Sequence, residues 1–136
     1  MEISNLKFVI PGNPISLNTA YPTGRDNRRH LSEDGTAFKN DVGWMAKQAL
    51  NGRKMFKWPI RISIEFYFDD DSHEMKDRKM KQKGHRRDVD NGAKLIVDAM
   101  TGVTYNDDSE VVNVELWKDY AQTPRIEIEI IQLGTV

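Results

Sequence analysis

The sequence predicts an α/β fold, a single mixed β-sheet of about four strands with two main helices in the order β-α-β-α-β-β. Three observations predict it. Several short segments alternate apolar and polar residues with a period of two, the signature of a half-buried strand. Two longer segments repeat their apolar residues at helical spacing. The two patterns interleave along the chain instead of separating into blocks.

Leu6, Phe8 and Ile10 alternate with polar or smaller residues until PGNP stops the pattern, giving a first strand. From Ser16 to His30 the chain is polar and turn-rich, a loop. Ser32 is placed to cap a helix carrying Glu33 and Asp34 near its positive end. Phe38, Val42, Met45, Ala46 and Ala49 then fall on one helical face, and Asn51-Gly52 ends it. Gly35 and Gly43 lower the helix propensity without changing the assignment. Ile60, Ile62, Ile64, Phe66 and Phe68 alternate with polar or amphipathic residues, the clearest strand in the chain.

That strand runs into DDDSHEMKDRKMKQKGH, a charged connector over about 69–86 too polar to order itself. A second helix opens at Asp88 or Asp90, with Ala93, Ile96, Val97 and Met100 as its apolar face, and closes at Thr101-Gly102. YNDDS is a turn. Val112, Val114 and Leu116 alternate with Val111, Asn113, Glu115 and Trp117 as a third strand. Ile126, Ile128 and Ile130 alternate with charged residues as a fourth. KDYAQTP between these two has the length of a hairpin connection. Apolar surface left on the half-buried strands can form a subunit interface.

A length of 136 residues suits one core, read as a single domain over 1–136. No apolar run approaches a membrane span, and MEISNLKFVIPG lacks the features of a signal peptide, so no membrane association and a cytoplasmic location are expected. With no cysteine there is no disulfide, thiolate metal site or cysteine nucleophile. The net charge of −1 argues against a general nucleic-acid coat, but the charge is segregated. Lys76, Arg78, Lys79, Lys81, Lys83, Arg86 and Arg87 cluster against one acid, Asp77, and Arg25, Arg28, Arg29 and His30 form a second basic group. Acids gather at Asp69–Asp71 and along the C-terminal strand.

The chemistry concentrates in HRRDVDNGAKLIVDAM, residues 85–100. In extended chain, Asp88 and Asp90 point the same way and share one small volume. Close carboxylates repel unless a proton or a cation joins them, and hard oxygen ligands suit Mg²⁺. Lys94, one helical turn after Asp90, is placed to hold a phosphate oxygen or offset developing negative charge. Arg86 and Arg87 are placed for flanking phosphates. The plain alternative is a capped helix start with a surface ion pair between Asp90 and Lys94. Asp107 and Asp108 in YNDDS are either solvated turn formers or further carboxylates of the same site. His30, His73 and His85 read as solvated loop residues, and Trp44, Trp58 and Trp117 as core or edge aromatics. No Walker loop, G-x-G-x-x-G or H-E-x-x-H occurs, and no serine has a His-plus-acid signature.

RRDVDNGAKLIVDAM followed by YNDDSEVV resembles the metal-dependent Holliday-junction resolvases of the RusA type. That pattern is an arginine-rich run into D-x-D-N, a lysine one turn on, a D-A pair in the same helix, and a later D-D pair before a Q/E-V-V-type strand. PGNPISLN and HLSEDGTAFKNDV resemble the family's opening and first helix start, so the likeness covers most of the chain. The resemblance implies an α/β homodimer that binds four-way DNA junctions and cuts two opposed strands symmetrically with Mg²⁺, with Mn²⁺ able to substitute. It implies a place in recombination and repair, in proteins that often come from phages or prophages. Asp88, Asp90 and Asp108 match the catalytic carboxylates and metal ligands, with Asp107 the alternative to Asp108, and Lys94 matches the catalytic lysine. Arg86, Arg87, Lys79, Lys81, Lys83, Arg28 and Arg29 are the expected DNA-binding residues. One departure is the connector, which here is longer and carries its acids first. From another functional class, a non-catalytic DNA-binding module would use the same basic surface with its acids as caps and turns. A small nucleotide phosphohydrolase would need a closed base pocket, of which the sequence gives no sign.

Overall fold

Strand β2, Ile60–Asp69, is the centre of the molecule because it carries apolar side chains for a fully covered face. Ile60, Ile62, Ile64, Phe66 and Phe68 are all buried. The computed structural model describes residues 4–12, 33–69 and 92–134. Around β2 lie β1 (Asn5–Pro11), β3 (Val111–Ala121) and β4 (Arg125–Gln132). They form one mixed sheet in the order β1-β4-β2-β3, antiparallel except for the parallel pair β2–β3.

Register explains the core. Leu6, Ile130 and Ile62 stand in one row across three strands, Phe8, Ile128 and Ile64 in the next, and Ile10, Ile126 and Phe66 in a third. All nine are buried on one face. The alternate residues, including Lys7, Glu127, Glu65 and Tyr67, occupy the open face. There Arg125 donates from Nε to Glu127 at 2.7 Å and lies over the Tyr67 ring, 4.1 Å from its centre. Two helices contribute to the buried layer, α1 (Glu33–Leu50) and α2, residues 92–100. Val42, Ala46 and Leu50 of α1 and Leu95, Ile96, Ala99 and Met100 of α2 complete the core. A methyl group at Gly43 would stand 3.3 Å from the Ala99 carbonyl oxygen, so glycine lets the two helices approach closely. Helix α1 ends where expected, with Asn51 and Gly52 at φ 49° and 79°.

The predicted fold class and element order hold, and the pairing of the last two strands is corrected. β3 and β4 are not a hairpin: β2 lies between them, parallel to β3 and antiparallel to β4. Alternation identifies a strand but not its neighbour, and β2 is the strand whose buried rows fit between two partners. Val114 and Leu116 of β3 continue the rows of Ile62 and Ile64, yet they are 41% and 37% exposed. The three tryptophans lie outside the core, with Trp44, Trp58 and Trp117 all more than 60% exposed. Among the described residues no helix is long and apolar enough to cross a membrane.

Candidate active site

Helix α2 buries most of its circumference, which leaves a narrow outward stripe. Gly92, Ala93, Leu95, Ile96, Ala99 and Met100 are buried, whereas Lys94 is exposed and Val97 and Asp98 are half-buried. Lys94 and Asp98 are four residues apart and so share that stripe. The chain then turns through Thr101–Tyr105, with Gly102 at φ 82° donating its N–H to the Tyr105 carbonyl at 2.7 Å.

Tyr105 anchors the turn to the helix. Its ring is fully buried and its hydroxyl donates to the Val97 carbonyl at 2.6 Å. Burial pushes the phenol pKa up, with Asp108 and Asp98 adding to the rise. The next residues carry Asp107 and Asp108 into a short 3₁₀ turn, Asp108–Glu110, that opens directly into β3. The two carboxylates are inequivalent. The Ser109 hydroxyl donates to Asp107 at 3.0 Å, and this bond, followed by one with Asp108, holds the Asp107 carboxyl below its usual value. Asp108 is pushed the other way, first by its hydrogen bond to Asp107, then by slight desolvation and by the negative charges of Asp107 and Asp98. Asp107 thus serves the turn, whereas Asp108 is the carboxyl whose charge its neighbours disfavour.

Glu110 ties this turn to a second segment. One carboxylate oxygen accepts the Asp107 N–H at 3.3 Å, and the other accepts the Trp58 N–H at 3.0 Å. The segment before β2 is held from its other side. Gln132 accepts the Lys57 N–H at 3.0 Å and donates to the Lys57 carbonyl at 2.6 Å. Phe56 donates its N–H to the Thr104 carbonyl at 2.7 Å.

Of the residues in the sequence motifs, Lys94 and Asp98 stand on the outward stripe of α2 and Asp107 and Asp108 in the turn, where Asp98 is near enough for its charge to act on Asp108. Asp88, Asp90, Arg86, Arg87, Lys79, Lys81, Lys83, Arg28 and Arg29 lie outside the described residues, as do Ser32, the three histidines and nearly all of the charged connector. Among the described residues no group of three or more acidic or histidine side chains is gathered closely enough to hold a metal ion. Sequence reasoning missed Tyr105 and Glu110 as parts of the site, and noted Asp98 only as half of a D-A pair. Asp98 was findable by its spacing from Lys94. Tyr105 acts through one backbone contact and Glu110 through two, and none of them leaves a periodic signal.

The β2-to-β3 crossover thus runs through a helix that carries Lys94 and Asp98 on its outward stripe, and it ends in an acidic turn that opens into β3. The chain belongs to the RusA endodeoxyribonuclease family, whose model, Endodeoxyribonuclease RusA, matches residues 11–131. It is 31% identical to the crossover junction endodeoxyribonuclease RusA of Escherichia coli (strain K12) over 123 residues, 89% of this chain and 90% of that protein. It is 30% identical over the same shares to the protein of that name from Enterobacteria phage 82. It is also 26% identical to YqaN, an uncharacterized protein of Bacillus subtilis (strain 168), over 95% of this chain and 97% of that one.

Proposed function

We propose that this protein is a Mg²⁺-dependent endonuclease that resolves four-way DNA junctions as a homodimer, cutting two opposed strands. The observation that carries the reading is the family match over residues 11–131, which spans both acidic motifs and Lys94. The turn is compatible with it: Asp107 and Asp108 are adjacent carboxyls at the end of the β2-to-β3 crossover, with the charge of Asp98 also acting on Asp108.

The donors fit Mg²⁺, for they are carboxylate oxygens in a chain without cysteine. Asp88, Asp90 and Asp108 would hold the ion, which, when bound, supplies positive charge at the scissile phosphate and acidifies water. Asp107, engaged with Ser109, would keep the turn in shape. Lys94 on the exposed stripe of α2 would meet the charge developing on the phosphate oxygens or the departing oxygen. Arg86, Arg87, Lys79, Lys81, Lys83, Arg28 and Arg29 would hold the backbone phosphates, making binding strongly salt-dependent.

Strand β3 supports the dimer. It stands at the edge of the described sheet with Val112, Val114 and Trp117 50%, 41% and 61% exposed. A long apolar edge without a partner invites aggregation, so a specific cover is expected. Antiparallel pairing with a second copy about Val114 would oppose Val112 to Leu116 and Asn113 to Glu115, with no like charges opposed. Centring on Glu115 or on Lys118 would oppose like charges. The experiment is incubation with a synthetic four-way junction, a Y-fork and a linear duplex, each with Mg²⁺ or EDTA. Paired cleavage of the junction only in Mg²⁺ is expected. Junction binding without cleavage would support the non-catalytic binding module instead.

A further inference from the structure

The Glu110 carboxylate lies between two segments that are far apart in sequence and uses both of its oxygens. One side holds the N–H of Asp107, the residue before the candidate ligand Asp108. The other holds the N–H of Trp58, in the segment that Gln132 fastens to the end of β4. The contacts form a continuous relay from the sheet to the turn: Gln132, Lys57, Trp58, Glu110, Asp107. Tyr105 holds the chain before this three-residue 3₁₀ turn and the pairing of Val111 with Ile60 holds it after, and the Trp58 bond adds a hold on Glu110 within the turn itself.

We propose that Glu110 is a positioning residue that sets where the Asp108 carboxylate stands relative to α2, and so tunes the affinity of the site for a divalent cation. The inference rests on the metal-dependent reading above. It assigns Glu110 no contact with metal or DNA, because both of its oxygens are directed at backbone N–H groups. Ionised, the carboxylate accepts on both sides at once. An amide offers one accepting oxygen and presents an NH₂ to the other N–H. Glu110→Gln therefore keeps half of the relay, and Glu110→Ala keeps none.

The test uses the full-length protein. Calorimetric titration with Mn²⁺ alone, without DNA, should give an affinity about tenfold or more weaker for Glu110→Ala, the range expected when support behind a ligand is removed, with Glu110→Gln intermediate. Amide hydrogen exchange on the metal-free proteins should show faster exchange at both Trp58 and Asp107 in Glu110→Ala and at one of the two in Glu110→Gln, with the central β2 amides unchanged. A residue acting as a metal ligand would leave those two metal-free amides as they are. Junction binding in EDTA should match wild type. If wild type binds Mn²⁺ and both variants bind it equally well, the positioning role is wrong and the nuclease reading stands. Should wild type bind no divalent cation and cut no junction, the reading beneath the inference fails. If Glu110→Ala proves unfolded by circular dichroism, Glu110→Gln decides: wild-type exchange at both Trp58 and Asp107 together with wild-type Mn²⁺ affinity would overturn the proposal.

Discussion

The Tyr105 hydroxyl donates to the Val97 carbonyl at 2.6 Å, fastening the turn that carries Asp107 and Asp108 to the middle of α2. One buried side chain thereby links the stripe of Lys94 and Asp98 to the acidic turn. Tyr105→Phe keeps the ring and loses one hydrogen bond, so it should cost about 1 kcal/mol. Tyr105→Ala also opens a cavity at a fully buried site and should cost about 3–5 kcal/mol. Urea unfolding monitored by circular dichroism measures both. An alanine variant within about 1 kcal/mol of wild type would mean that the ring does not anchor the turn.

Strand β3 gives a prediction about assembly. Val114→Lys places a charge at the centre of the proposed two-fold pairing and faces its own copy across it. The dimer should dissociate at concentrations where wild type remains paired, with little change in monomer stability because Val114 is already 41% exposed. Sedimentation velocity reads the shift. A dimer of unchanged stability in the lysine variant would place the interface elsewhere.

The open face of the sheet predicts an acid dependence. Glu127 is held below its usual carboxyl value by the Arg125 hydrogen bond first, and also by the charges of Arg125 and Lys7. A carboxylate with a depressed folded pKa contributes stability above its unfolded pKa and loses it as pH falls through the folded value. The stability difference between wild type and Glu127→Gln should therefore be constant above about pH 5 and shrink steadily below about pH 4. Thermal unfolding across that range checks it. A difference independent of pH would show that the pair contributes packing only.

The strands and helix ends were legible because each writes a period or a stop residue into the sequence. β2 declares itself by five alternating apolar residues, and α1 ends at the Asn51-Gly52 pair that permits positive φ. Strand partners were not legible. The alternation of β3 is the same whether it pairs with β4 or β2, and whether its apolar side is covered or left open. Leu95 was missed on α2 because a helix packed over more than one face has no single stripe to find. Lys94, Asp107 and Asp108, the described residues proposed for the site, stand out in sequence because they carry charge at suggestive spacing. The inequivalence of the two aspartates was hidden, since it depends on which one the Ser109 hydroxyl reaches. Glu110 read only as part of a strand motif, though its role is set by the N–H of Trp58, a residue distant in sequence.

The central claim is that Asp108 belongs to a cation-dependent site that cuts junction DNA. Asp108→Asn removes the carboxylate charge and adds none that would repel DNA. The most direct measurement is single-turnover cleavage of a synthetic four-way junction by wild type and Asp108→Asn at saturating protein, in Mg²⁺ and in EDTA. The account predicts paired strand cuts by wild type in Mg²⁺ alone, and loss of cleavage by about 100-fold or more in the variant with junction binding retained. Cleavage by Asp108→Asn at the wild-type rate, or by wild type in EDTA, would contradict it.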